Sequence, residues 1–221
     1  MSRLPLATAS VLGQPPRIII IGLALLIFVS CTTKPAISEP QVEAEPVVAT
    51  ERLIASPPKD WQLIYQLNSG DIRLSDFIPP DETEKEWQTK LSFEAHTQLA
   101  DSDPISIIMG EIKSKRGMCT HIDHFNLFSG FENNYPTSVR LIQCGENAHS
   151  QLGEISLIKA IQGNDFFYIV RFLKNVPVFE KGKAEFTNEE VANWSSFLKR
   201  VSLCDDDAAD HECSSPEPVE P

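Results

Sequence analysis

Residues 87–96, WQTKLSFEAH, alternate along almost their whole length. Trp87, Thr89, Leu91, Phe93 and Ala95 face one way; Gln88, Lys90, Ser92, Glu94 and His96 face the other. A period of two makes a strand, and a strand must find neighbours, so this run commits the chain to a sheet. The residues around it supply them. Residues 61–67 alternate in the same way, Asn68-Ser69-Gly70-Asp71 forms a turn, and residues 72–78 read as a hairpin partner. Residues 138–144 and 153–161 are further strands. Gln162-Gly163-Asn164-Asp165 is a tight turn into residues 166–173, which are apolar on both faces apart from Arg171. A strand of that kind belongs in the middle of a sheet, covered on both sides or at one end.

Two helices punctuate the strands. Asp103-Pro104 places an acidic cap before a first-turn proline; Ile105, Ile108, Met109 and Ile112 then share one face, and Gly117 ends the helix. Thr187-Asn188-Glu189-Glu190 is a capping box opening a second helix. Its apolar face is Val191, Trp194, Leu198 and Val201, with Phe197 at the edge. The order ββ-β-α-(β)βββ-α predicts an α+β fold, a largely antiparallel sheet packed with two helices. The layout loosely resembles the PsbP/Mog1 type of α/β/α sandwich. Residues 120–137 carry no steady period.

The ends of the chain differ from this body. Residues 1–17 carry Arg3 and Arg17 and no acid, and residues 18–30 form an apolar run that ends in Phe28-Val29-Ser30-Cys31. Thirteen residues are too few for a comfortable membrane span and fit the core of a signal peptide. Other readings of the run are an ordinary signal peptide cut elsewhere or an uncleaved anchor. A small residue before a cysteine at the end of such a core resembles the lipobox of bacterial lipoproteins. That resemblance implies cleavage before Cys31, which is diacylated through its sulfur and acylated on its new amine. Two or three acyl chains, at about 0.8 kcal/mol per buried methylene, make a nearly permanent anchor. Thr32 rather than Asp follows the cysteine, which by the same resemblance implies the outer membrane, with the body facing the periplasm.

Residues 31–58 hold five prolines and several acids, and no aromatic. They read as a disordered stalk with a reach of about 30 Å. Residues 59–204 form the single folded domain, and residues 205–221 an acidic, Pro-rich tail. Loss of Arg3 and Arg17 would take the net charge from −12 to −14. A charge of that sign argues against nucleic acid and leaves the acyl chains as the membrane contact.

With Cys31 acylated, Cys119, Cys144, Cys204 and Cys213 remain, an even number in an exported chain, which reads as disulfides. Three connectivities exist. Cys119–Cys144 with Cys204–Cys213 is favoured: the first bond closes the unpatterned segment, and the second pins the tail to the end of the last helix. On the chain-entropy model they stabilise by about 3.5 and about 2.7 kcal/mol. The spacings contain no C-x-x-C pair, so a four-thiolate zinc site is disfavoured.

No catalytic frame is present. Ser92, Glu94 and His96 share a strand face, but neighbours two apart are about 6–7 Å from each other, too far for a nucleophile–base bond. His121, Asp123 and His124 form the densest ligand-like cluster and would need His149 or Glu146 to complete a metal site. The acids at Asp205, Asp206, Asp207, Asp210 and Glu212 lack calcium-loop spacing. Phe166, Phe167, Tyr168 and Phe172 read as core, with the capacity to floor an apolar pocket.

Several local patterns together resemble a group of uncharacterised exported proteins of Gram-negative bacteria. They are Phe77-Ile78-Pro79-Pro80 with an acid-rich turn and Trp87; Gly153-Glu154 through Lys159-Ala160 to Gly163; Tyr168-Ile169-Val170; and Trp194 through Phe197-Leu198 to Cys204-Asp205, with Cys213. The group transfers no activity, cofactor or catalytic residue; it supports pairing Cys204 with Cys213. The expectation is therefore a lipid-anchored envelope protein with a non-enzymatic body. That body binds a protein partner or a small apolar ligand. The alternative is a periplasm-facing hydrolase or metal-dependent enzyme using His96 or the His121/Asp123/His124 cluster.

Overall fold

A computed structural model describes residues 50–213. The signal segment, Cys31, most of the expected stalk and residues 214–221 lie outside the described residues. In chain order the elements are β1 (Glu51–Ile54), β2 (Gln62–Asn68), β3 (Ile72–Ile78), β4 (Thr89–His96), α1 (Pro104–Lys115), β5 (Ile122–Glu132), β6 (Tyr135–Asn147), β7 (Leu152–Gln162), β8 (Phe167–Val176), α2 (Asn188–Arg200) and β9 (Ser202–Asp205). Strands β2 to β8 form one antiparallel sheet in the order β2-β3-β4-β8-β7-β6-β5. β1 and β9 make a separate two-stranded antiparallel ribbon.

β8 lies at the centre of the seven strands, as its two apolar faces require. Phe167 and Ile169 pack with Ile158, Ala160 and Ile142 beneath Ile108 and Ile112 of α1. Tyr168, Val170 and Phe172 point to the opposite face, into a core closed by Leu198 of α2, by Val201 just beyond it and by Leu203 of β9. The fold is α+β with one helix on each face of the sheet. Both helices start where the cap residues place them. Asp103 accepts a hydrogen bond from Ser106 N at 2.8 Å. Thr187 and Glu190 exchange the two bonds of the capping box.

The cysteines pair as favoured. Cys119–Cys144 spans a Cα separation of 5.4 Å and ties the chain beyond α1 to β6. Cys204–Cys213 spans 4.8 Å and closes the loop after β9.

Three segments depart from the sequence expectation. β1 falls inside the stretch read as a disordered stalk: Glu51 to Ile54 pair with Asp205 to Ser202 from the far end of the chain. β9 correspondingly runs to Asp205, the first residue of the expected tail. Residues 120–137, read as unpatterned, contain the eleven-residue edge strand β5. Its alternation is broken by a bulge between Asn126 and Phe128, which moves every later side chain to the other face. The β5–β6 turn is Asn133-Asn134, both at positive φ (47° and 63°), a conformation asparagine tolerates and the two-residue hairpin demands.

Lys159 joins α2 to the sheet. It stands on β7 facing α2 and is fully buried. Its Nζ donates to the carbonyls of Leu198 (2.9 Å) and Val201 (2.6 Å) and to the Glu132 carboxylate. Three ammonium donors meet three acceptors, two of them carbonyls that a helix C-terminus otherwise leaves orphaned.

Candidate functional site

The two faces of the sheet are finished differently. Over the α1 side runs a ladder of charges. His96 Nε2 lies 3.1 Å from Glu94, and Glu94 lies 3.2 Å from Arg171. Arg171 reaches Glu111 of α1 at 2.8 Å, and Lys115 joins Glu111 to Glu154. Beside it Asp76 accepts from Ser92 Oγ (2.6 Å) and Lys90 Nζ (2.8 Å). Arg171, Lys115 and Lys90 each have an acidic partner.

The α2 side carries an open concavity lined by aromatic rings. The segment after β1, running through Ala55 and Ser56 to Pro57-Pro58, crosses the sheet and stands off from α2. Between them lies a groove of about 490 Å³. Phe172 of β8 is its floor; Trp61 meets that ring edge-on at 6.1 Å, and Trp194 of α2 stacks on it at 4.7 Å. Phe197 adds an edge contact at 5.0 Å. Asn193 and Arg200 supply the polar rim. Among the described residues Arg200 has no ion-pair partner; its guanidinium sits 6.0 Å from the Phe197 ring. The helix repeat explains the wall: Trp194, Phe197, Leu198 and Val201 recur at three- and four-residue steps, so the two buried members anchor α2 while the two aromatics tilt outward. A concave aromatic surface of this volume with a few polar groups at its margin fits a small, largely apolar molecule.

The groove is held open by its ribbon. Glu51 is buried at one end of β1, where its Oε2 accepts from Asn164 N in the β7–β8 turn at 2.6 Å. Burial pushes the Glu51 carboxyl above its ordinary range, against the backbone hydrogen bond from Asn164 that lowers it. Tyr168 and Tyr135 are pushed up in turn, by burial first and then by the Glu51 charge. Gly163 is required here: a Cβ at that position would stand 2.2 Å from a Glu51 oxygen.

The sequence-derived candidates do not converge. Ser92, Glu94 and His96 share a face as the alternation requires, but Ser92 gives its proton to Asp76, not to His96. The His121 ring packs edge-on against Phe179 at 5.5 Å and over Gly145, where a Cβ would lie 1.9 Å from it. Asp123 pairs with Lys181 at 3.5 Å. His124 faces the other side of β5, across from Ile142. Among the described residues no three His, Cys, Asp or Glu side chains are placed to hold a metal ion. Also among the described residues, no helix is long and apolar enough to cross a membrane. Phe166, Phe167 and Tyr168 are core, as read; Phe172 is both core and groove floor. The sequence reading missed Trp61 and the Pro57-Pro58 wall. The one local signal was a tryptophan three residues after a proline pair.

No protein-family model matches the chain, and no curated protein matches its sequence. Fold and site together describe an α+β domain with helices on both faces of an antiparallel sheet and one aromatic groove.

Proposed function

We propose that the protein is a lipid-anchored component of the bacterial cell envelope, held at the outer membrane through Cys31. Its body binds a small apolar or amphiphilic ligand in the groove between α2 and the Ala55–Pro58 segment. Two disulfides suit an oxidising compartment, and the sheet with a helix on each face supports a sandwich of the PsbP/Mog1 kind. The observation that carries the ligand reading is the aromatic floor and walls formed by Trp61, Phe172, Trp194 and Phe197, rimmed by Arg200. The binding reading is preferred to the hydrolase or metal-enzyme reading because His96 lies beside Glu94 and no nucleophile.

Two of the three tryptophans line the groove, so fluorescence reads it directly. Dibrominated stearate should quench the protein saturably. Ala55→Phe fills the groove and should abolish quenching, while Trp87→Phe should leave it intact. Unsaturable quenching, or quenching that survives Ala55→Phe, would refute the ligand reading. Metabolic labelling with an alkyne fatty acid should mark the wild type and not Cys31→Ser; an unmarked wild type would refute the anchor.

A further inference from the structure

β5 ends the sheet with eleven residues, and among the described residues no strand lies beyond it. Edge strands are ordinarily blunted by lysine, proline or brevity. β5 has no lysine, arginine or proline, and it exposes Phe125 (49%), Leu127 (44%), Phe128 (37%) and Phe131 (71%). We propose that this edge pairs with the same edge of a second copy, antiparallel across a two-fold axis perpendicular to the sheet, giving one continuous fourteen-stranded sheet.

The sequence of β5 selects a register. Such an axis keeps both α1 faces on one side, so each residue must meet a residue of its own face. The pairing to β6 fixes those faces. Phe125 and Phe128 lie opposite Leu141 and Val139, on the α2 side; Ile122 and Phe131 lie opposite Cys144 and Pro136, on the α1 side. Placing the axis between Asn126 and Leu127 sets Phe125 against Phe128 of the second copy, twice, and Ile122 against its Phe131, twice. Asp123 then meets Gly130, so no like charges oppose. The bulge is what permits this: it brings Phe125 and Phe128, three apart, onto one face. At about 200 Å² for a whole ring, the four exposed side chains hide roughly 400 Å² of apolar surface per copy, before the two backbones are counted. That places the contact within reach of the smaller stable interfaces. The opposite edge does not offer the same match. β2 is seven residues long, and its own bulge puts Leu63 on the other face from Tyr65 and Leu67.

The test is the mass of the detergent-solubilised full chain by sedimentation with light scattering, in four forms. Wild type should be dimeric at tens of micromolar. Phe128→Lys and Phe125→Glu should each weaken the dimer at least tenfold, with melting temperatures near wild type because both positions are exposed. The double variant sets the introduced ammonium of each copy against the introduced carboxylate of the other and should restore the dimer. In parallel, p-benzoylphenylalanine at position 128 should crosslink in the otherwise native chain to a covalent homodimer. A monomeric wild type, a dimer indifferent to both single changes, failure of the double variant to rescue, or a photo-crosslink to another protein alone would each overturn the proposal.

Discussion

Lys159→Met removes one charge and almost no volume, and the structure sets what that should cost. The wild-type ammonium is fully buried and donates to two carbonyls at the end of α2 and to Glu132. Methionine fills the space but leaves the Leu198 and Val201 carbonyls in a core where both residues are about 1% exposed. Orphaning a buried acceptor costs about 1–3 kcal/mol each. Glu132 is 30% exposed and can rehydrate, so it adds little. Against this stands relief of the lysine's own desolvation, which burial makes large enough to hold its pKa below the ordinary lysine value. The net expectation is a loss of about 3 kcal/mol, because removing one partner of a buried ionic contact is more costly than replacing the whole set. For a domain of this length that lowers the melting temperature by about 6–12 °C. Urea unfolding followed by circular dichroism measures it, with Lys174→Met as the control. Lys174 makes a similar pair with Glu190, but its ammonium is partly exposed and can rehydrate, so about 1 kcal/mol is expected. If Lys159→Met matched the control, the ammonium would not be what fastens α2, and the reasoning would fail.

Three further outcomes follow from local features. Glu51 has a raised folded-state pKa, so its contribution is fully present when it is protonated in both states and is lost as pH rises through its folded value. Glu51→Gln should therefore be at least as stable as wild type at pH 7, with the gap closing as pH falls through the raised folded value and closed by about 4.5; thermal melts across that range would show a gap of opposite sign if the carboxylate were favoured when charged. Thr187→Ala removes the hydroxyl that accepts from Glu190 N at 3.1 Å and should cost about 1 kcal/mol, read by urea midpoint. Replacing Cys119 and Cys144 with alanine opens a 25-residue span and should cost about 3.5 kcal/mol in the same assay.

What the sequence disclosed tracks the range of the interaction that shapes each element. β8 was legible as a central strand because burial on both faces is written into consecutive residues. The helices were legible because Asp103 and Thr187 act three residues away. The cysteine pairing was legible because each favoured bond closes the nearer partner. β5 was hidden by one inserted residue, which destroys the period on which strand recognition depends. Asn133-Asn134 marks its turn, and the side chains serve a second purpose that no local pattern reveals: Asn133 donates to Leu203 O at 3.0 Å and Asn134 to Asp210 O at 2.7 Å. β1 was hidden for the same reason on a longer scale. Its strand partner lies at the far end of the domain, and Glu51 answers to Asn164, 113 residues on. The groove inherits that difficulty: Phe172 reads as core and Trp194 and Phe197 as the apolar side of a helix, while the segment that makes a cleft of them arrives from the Pro-rich side of the domain.

The division of labour between the faces follows from which parts of the chain cover them. α1 is an internal element, flanked by β4 and β5, tied through the Cys119–Cys144 bond just beyond it and locked by Glu111 and Lys115 into charges on β8 and β7. An element packed on the sheet by Ile108 and Ile112 and fastened along its last turn over paired charges is poorly suited to admitting a ligand. The other face is covered by β1 from one end of the domain and by α2 and β9 from the other, joined through four ladder pairs and the Arg52–Asp206 ion pair. Two covering pieces that meet edge to edge leave a seam, and the groove is that seam, floored by the sheet's central strand. The residues that keep the pieces apart, Pro57 and Pro58, resist collapse because their φ angles are fixed. Those that keep each piece in place, Glu51 and Lys159, are buried and lie away from the cleft. Apolar surface remains uncovered in the seam because the covering layer is assembled from the two ends of the domain and neither piece spans it.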